Sequence, residues 1–142
     1  MIDRFAGKYR FLSNFHPSAL WHDGILYPTV EHAYQAAKTD DREWRLRISK
    51  CATPGQAKRL GRSAPLRDGW YLDRYRVMSA LVEKKFIGYR HLADLLVATG
   101  NEQIVEGNTW GDTYWGVCNG VGENALGRIL MSLRERLQRA RR

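Results

Sequence analysis

The sequence predicts an α+β fold, namely a single compact and mostly helical domain over residues 1–142 with small β-hairpin or sheet elements. A length of 142 residues is that of one ordinary domain. Short extended segments flank an Asp-Gly pair near the N-terminus, which is typical of a hairpin. Apolar residues elsewhere recur at helical spacing, most clearly in one stripe near the C-terminus: Leu126, Ile129, Leu130, Leu133 and Leu137.

The hairpin is the first predicted element. Asp23-Gly24 supplies the positive φ angles of a tight turn, and Pro28 ends the second strand. Thr29 then caps a helix that runs to about Thr39. The two predicted strands cover residues 18–22 and 25–27.

The remaining elements are mostly helices. Thr53-Pro54 is a cap and first-turn pair, and Gly61 is the matching stop signal. Gly100 ends a later helix in the same way. Helices are predicted over 42–50, 54–61, 73–87 and 91–98, followed by a short strand over 103–106 and the last helix.

Composition excludes several classes of protein. No apolar run approaches the roughly 20 residues that span a bilayer, and the N-terminus is too charged for a signal peptide, so we expect no membrane partner and a cytoplasmic location. Cys51 and Cys118 lack CxxC spacing and are predicted to be buried, reduced thiols. The four histidines show no zinc-binding pattern, so no metal site is expected.

The charge is strongly basic, with a formal net value of +8. Such a protein attracts phosphates, nucleotides or nucleic acid. Six arginines lie from position 128 onward, and they fit either a solvated helix end or a surface that faces nucleic acid.

The helix after Pro28 carries four chemically capable side chains on one side. Glu31, Tyr34, Gln35 and Lys38 are neighbours at spacings of three, four and seven, while the opposite side holds small residues. This polar side is either a solvated face or the wall of a pocket.

An aromatic, glycine-rich segment at 106–116 is the second candidate. It holds Glu106, Trp110, Asp112, Trp115 and Gly116. Its tryptophans either plug the core while the acids cap turns, or they stack on a planar ring.

Two shorter signals accompany this segment. Asn124 is the expected cap of the last helix, whose glycine-rich approach leaves backbone N–H groups for an anion. Near the N-terminus, Ser13 and Asn14 lie between apolar anchors, one of them Phe15.

Several motifs together resemble one family. They are FLSNF (11–15), YPTVEHAYQAAK (27–38), LGR (60–62), RDGW (67–70), RYRVMSALVEKKF (74–86), and ATGNEQIVEGNTWGDTYWGV with GENALGRILMSLR within 98–134. In order and spacing they resemble the NADAR family over nearly the whole chain. The resemblance implies a compact α+β fold that needs no metal or other cofactor. It also implies a hydrolase that cuts the bond between ribose C1 and a nitrogen. The substrate is either a phosphorylated riboflavin-pathway intermediate or guanine that carries ADP-ribose in nucleic acid.

This chemistry suggests roles for the candidate residues. Cleavage builds positive charge on the sugar, so Glu31 fits as the carboxylate near C1 or as the proton donor. Lys38 fits as a nucleophile that gives an imine-type intermediate, or as a phosphate anchor. Asp112 is a candidate for orienting water or the ribose hydroxyls. Glu106 either shares that role or pairs with Lys38.

The other candidates form the walls of the expected pocket. Trp70, Trp110 and Trp115 are expected to stack on the leaving base, and Asn14, Arg62, Arg74 and the start of the last helix to bind ribose and phosphate. The remaining expected wall residues are Ser13, Phe15, Tyr34, Gln35, Met78, Gly116 and Asn124. Two alternatives stay open, namely a non-catalytic ADP-ribose or NAD-binding module and a basic nucleic-acid-binding domain.

Overall fold

A computed structural model describes all residues, 1–142, and confirms a mostly helical α+β architecture with small strand pairs. The chain divides into two units, one made of residues 14–88 and the other of residues 1–13 and 89–142. The first unit contains β1 (Leu20–His22), β2 (Ile25–Tyr27), α1 (Val30–Ala37), α2 (Arg42–Ser49), α3 (Pro54–Gly61) and α4 (Trp70–Gly88). The second contains a 3-10 helix (Gly7–Leu12), α5 (Arg90–Ala98), β3 (Gly107–Asn108), β4 (Val117–Cys118) and α6 (Ala125–Ala140).

The predicted hairpin is confirmed. Strands β1 and β2 pair antiparallel, with Leu20 opposite Tyr27. The turn residues Asp23 and Gly24 have φ angles of 49° and 79°, which a two-residue hairpin turn requires.

Helix α1 begins where the sequence predicts. The Thr29 hydroxyl accepts a hydrogen bond from the His32 backbone N–H at 3.1 Å. The His32 ring also joins this helix to the end of α2, since its Nε2 lies 3.0 Å from the Cys51 carbonyl oxygen. All eight residues of α1 are buried, so α1 is the central helix of its unit, with α2, α3 and α4 packed against it.

Helix α4 runs antiparallel to α1. The Arg67 N–H donates to the Lys38 carbonyl oxygen at 2.7 Å near one end, and Tyr34 and Trp70 pack with ring centroids 5.3 Å apart further along. Helix α4 begins three residues before the predicted residue 73, because Gly69, at a φ of 73°, starts it at the buried Trp70.

The predicted strand over 103–106 is wrong. Only Ile104 forms a β-bridge there, with Ile2, and the strand itself lies at Gly107–Asn108, parallel to Val117–Cys118. The apolar character that suggested a strand reflects burial instead, because Ile104 is fully buried in its unit.

Both cysteines are free, and both are half-buried rather than buried as predicted. Cys51 follows the end of α2, where the chain turns toward α3, and Cys118 lies in a two-stranded pair too small to cover it. Separately, none of the helices combines the length and apolarity that crossing a bilayer requires.

Candidate active site

The polar side of α1 is buried. Glu31, Tyr34 and Gln35 are 7%, 6% and 3% exposed, so the interpretation as a solvated face is wrong. Carboxylate and amide groups are seldom buried without a structural or chemical purpose. This face of α1 therefore lies in the interior of its unit.

Glu31 is held at its side chain and its backbone. The Gln35 Nε2 donates to Glu31 Oε1 at 2.8 Å, and the Glu31 backbone N–H donates to the Asn14 carbonyl oxygen at 3.1 Å. The Asn14 side chain in turn lies 3.4 Å from the Met78 sulfur. The structure thus links four predicted site residues through a chain of contacts, in which Gln35 is the one that reaches the Glu31 carboxylate.

Lys38 follows the last residue of α1 and is half-buried. Burial lowers the pKa of its amine, and the neighbouring cations of Arg62 and Lys58 lower it further, while the Glu31 carboxylate opposes them. The Lys38 Nζ lies 5.8 Å from the centre of the Tyr34 ring. An amine attacks carbon only in its neutral form, so a lowered pKa is compatible with the predicted role of Lys38 as a nucleophile.

The predicted residues of α4 also reach this region. Trp70 is 3% exposed and packs against Tyr34, with the Arg67 guanidinium 5.2 Å over its ring. Both contacts are within the unit, so the Trp70 ring packs against protein side chains, which disfavours the prediction that it stacks on a base. The Arg74 guanidinium lies 5.4 Å over the exposed ring of Tyr71.

Lys85 is a candidate that the sequence analysis missed. It is 1% exposed, and burial lowers its pKa to about 7. It lies on α4 at helical spacing from Met78, a site residue. Its occurrence at an apolar position of the helical pattern was the available signal.

The loop before α6 is organised by Asn108 and Asp112. The Asn108 Nδ2 donates to Glu106 Oε2 at 3.2 Å and to the Asp112 carbonyl oxygen at 2.9 Å. Asp112 Oδ1 accepts from the backbone N–H groups of Tyr114 and Trp115 at 3.1 and 2.9 Å. One oxygen of Asp112 is therefore used to shape the loop.

The two loop tryptophans differ. Trp110 is 62% exposed, so it does not plug the core. Trp115 is half-buried and meets Tyr114 edge to face, with centroids 4.7 Å apart. Gly116 is buried directly against Glu106 and Asn108.

The predicted anion site at the start of α6 is wrong. The N–H groups of Ala125 and Leu126 donate at 3.0 Å to the carbonyl oxygens of Tyr114 and Trp115. Asn124 occupies the cap position without a side-chain cap bond. Its amide instead accepts from the Glu106 N–H at 3.0 Å and donates to a neighbouring carbonyl at 2.9 Å. The loop fills the positions that an anion needs.

The other predicted residues near the N-terminus lie in different surroundings. Ser13 is half-buried at the end of the 3-10 helix, where its N–H donates to the Arg10 carbonyl oxygen, and Phe15 is 40% exposed.

In the basic C-terminal helix, Arg134 is buried and donates to Glu102 and Thr99 in its own unit. That arginine therefore has a structural role.

The chain is similar to known proteins over nearly its whole length. The model of the NADAR domain matches residues 3–138. N-glycosidase YbiA of Shigella flexneri serotype 5b is 41% identical over 132 residues, which cover 91% of this chain and 82% of that protein. A riboflavin biosynthesis protein of Vibrio vulnificus is 40% identical over 134 residues, 92% of this chain, although the chain spans only 36% of its length. The NMR structure of the E. coli protein YbiA matches with a TM-score of 0.85 at 37% identity, covering 99% of this chain and 89% of that one.

The fold and these relatives define a hydrolase of the N-glycosidase class. The chain belongs to the NADAR domain family.

Proposed function

We propose that this N-glycosidase cleaves the bond between ribose C1 and a nitrogen in a phosphorylated ribosyl compound. The observation that carries the proposal is the burial of Glu31 on one helix face with Lys38, whose amine has a lowered pKa. A carboxylate and an easily deprotonated amine are the groups that sugar C–N cleavage uses.

The reaction is balanced by one water molecule. The C1–N bond breaks, the electron pair leaves with the nitrogen, and a proton reaches that nitrogen. The water oxygen bonds to C1 and gives up its proton. Glu31 stabilises the positive charge that develops on the sugar, or delivers the proton, and one of its oxygens, Oε1, is held by Gln35.

Lys38 has two possible roles in this scheme. As a neutral amine it attacks C1 while the C1–N bond breaks and the nitrogen leaves with the electron pair. The attached amine then loses a proton and the ribose ring opens to an imine-type intermediate, which water hydrolyses to free the lysine and the sugar. As a cation it anchors the substrate phosphate together with Arg62 and Lys58, which lie close enough to lower its pKa. We prefer the nucleophile, because the substrate phosphate already has two other cations available.

Lys85 is the competing nucleophile. Its pKa of about 7 leaves a large fraction of neutral amine at neutral pH. It is also the more deeply buried of the two lysines. Separate substitutions of the two lysines distinguish the candidates, because only loss of the nucleophile abolishes a covalent intermediate trapped by borohydride.

The loop residues are assigned supporting roles. Asp112 orients water or the ribose hydroxyls through the oxygen that does not accept from the loop backbone, and Glu106 shares this task. Trp110, exposed on its loop, stacks on the leaving base, with Trp115 beside it. Phe15 and Arg74, which belong to the same unit as Glu31, are proposed wall residues of its site.

A phosphorylated riboflavin-pathway intermediate is the substrate we favour. The Vibrio vulnificus relative and a relative from Zea mays are both named as riboflavin biosynthesis proteins. Guanine that carries ADP-ribose in nucleic acid is the second candidate, and the net charge of +8 suits either phosphate-bearing compound. A cytoplasmic location stays a prediction.

The test offers both compounds to the purified chain. We expect release of ribose 5-phosphate from the riboflavin intermediate, with less or no ADP-ribose released from modified DNA. Glu31→Gln serves as the inactive control. Tight binding of ADP-ribose without turnover of either compound would overturn the enzymatic proposal in favour of a binding module.

A further inference from the structure

Gly61, the last residue of α3, is packed unusually closely against Gln35. A Cβ built at position 61 meets the Gln35 Oε1 in direct overlap, and it lies 2.8 Å from Gln35 Cδ and 2.9 Å from Gln35 Cβ. Such contacts are too short for any side chain to be accommodated. Gly61 is helical and has no positive φ, so the backbone conformation does not demand glycine there.

Gln35 has little freedom to move away. It is 3% exposed, and its Nε2 donates to Glu31 Oε1 at 2.8 Å. Its Oε1 lies against Gly61 and accepts no hydrogen bond. A flipped amide would turn the carbonyl oxygen toward the Glu31 carboxylate, where two acceptors repel each other. The amide therefore has one orientation, fixed between Glu31 and Gly61.

We propose that Gly61 and Gln35 are positioning residues for Glu31. The missing side chain at position 61 leaves the space in which Gln35 lies, and Gln35 fixes the plane of the Glu31 carboxylate through its N–H donor. The inference rests on the proposed function, because it assigns Glu31 a task at ribose C1. A small displacement of a reacting group is enough to slow such a step substantially.

The chain offers a matched control at Gly55, which lies in the same helix. A Cβ at Gly55 meets only the Thr53 hydroxyl oxygen, at an ordinary 3.9 Å. Alanine is a better helix former than glycine, so both Gly55→Ala and Gly61→Ala are favoured by intrinsic propensity. Any loss specific to Gly61→Ala therefore comes from displacing Gln35.

The experiment is a double-mutant cycle with Gly61→Ala, Gln35→Ala and their combination. We expect Gly61→Ala to lower kcat roughly 10- to 100-fold with KM changed less than about 2-fold, and Gly55→Ala to leave both unchanged. In the Gln35→Ala background, Gly61→Ala should cause a much smaller further loss, because the amide is already absent and only the contact with the Cβ of residue 35 remains. Additive losses, or an equal loss in Gly55→Ala, would overturn the inference.

A second readout separates this inference from the proposed function. The side-chain amide of Gln35, assigned by NMR, should shift in both Glu31→Gln and Gly61→Ala and stay in place in Gly55→Ala. If the parent chain cleaves no ribosyl compound, the proposed function fails, while the shift still supports the positioning contact. If the Gln35 amide is unmoved by Gly61→Ala, the positioning contact fails even where the parent chain is active.

Discussion

Two carboxylates in this chain, one in a helix and one in a loop, each accept a hydrogen bond from a side-chain amide that packs against a glycine. In the helix triad, which is Glu31, Gln35 and Gly61, the amide donates to the carboxylate and a glycine lies directly behind the amide. In the loop triad, which is Glu106, Asn108 and Gly116, the amide also donates to the carboxylate, at 3.2 Å, and the glycine packs against both.

The surroundings of the two triads differ. The members of the helix triad are all buried. Lys38 lies close enough to the Glu31 carboxylate, and to the cations of Arg62 and Lys58, for all three to influence its pKa. In the loop triad Glu106 and Asn108 are half-buried, and only the glycine is buried. The Asn108 side chain also donates to the Asp112 carbonyl oxygen and accepts from the Asp112 N–H. Under the proposed function, the contact holds a reacting carboxylate in the helix triad. In the loop triad the amide also binds the backbone of Asp112, so there the contact mainly shapes the loop.

The largest difference should appear on neutralising the two carboxylates. We expect Glu31→Gln to lower kcat/KM roughly 10³-fold, within the range for loss of acid–base or charge stabilisation, and Glu106→Gln to lower it less than about 10-fold. The release of sugar phosphate, followed by chromatography, measures both. Equal losses would mean that the loop triad shares the chemistry.

The next effect concerns Lys38 and pH. If the free amine of Lys38 is the nucleophile, as we propose, log kcat/KM should rise with pH and level off above the lowered pKa of Lys38. Lys38→Met should remove this rise and cost roughly 10²-fold in kcat. If Lys38 is instead a phosphate anchor, its charge is present only below that pKa, so KM will increase as the pH rises. Lys50→Met, an exposed lysine after α2, is the control.

A third effect is on stability. The folded-state pKa of Lys85, about 7, lies below its ordinary value of 10.5, so the unfolded chain binds the extra proton between these limits. Stability therefore rises with pH in this window, by up to about 1.4 kcal/mol per pH unit. Between pH 7.5 and 9, the free energy of unfolding of the parent should gain about 2 kcal/mol relative to Lys85→Met.

Urea titrations at several pH values measure this gain. The control is Lys84→Met, because Lys84 is exposed on the same helix and should show no comparable pH-dependent difference. A parent and a Lys85→Met variant whose stabilities run parallel with pH would show that Lys85 is charged in the folded state.

The smallest predicted effect tests whether the loop also has a chemical role. Asp112→Asn keeps an oxygen that accepts from Tyr114 and Trp115, so we expect the melting temperature to stay unchanged. Because the charge is lost, kcat should fall roughly 10-fold. Asp112→Ala should lower both quantities, since it also removes the two hydrogen bonds. Full activity of Asp112→Asn would restrict Asp112 to shaping the loop.

Local sequence signals predicted the elements of the unit made of residues 14–88 well. Thr29, Asp23-Gly24 and Thr53-Pro54 act within three residues of themselves, so the cap, the turn and the helix start follow directly from sequence. The row of polar residues on α1 was visible too, but its burial was not. That burial depends on α3 and α4, which pack onto α1 from distant positions in the chain.

The contacts of the loop before α6 were harder to predict, because they follow no periodic pattern in the sequence. The start of α6 reads as an anion site in sequence, yet its first N–H groups bond to Tyr114 and Trp115 ten or more residues earlier. Lys85 was overlooked for a related reason, since one lysine in an amphipathic pattern is ordinarily exposed. Only the packing of a whole unit shows that it is buried.

The contact between His32 and Cys51 has a consequence for where the enzyme works. A carbonyl oxygen only accepts, so the His32 Nε2 carries a proton, and burial lowers the pKa of the ring below its usual 6.5. The neutral ring supports the fold fully above that value, and this support is lost as solutions become more acidic. The imidazole of this α1 residue thus disfavours acid conditions, and its neutral form persists at the alkaline pH at which the proposed lysine nucleophile also loses its charge.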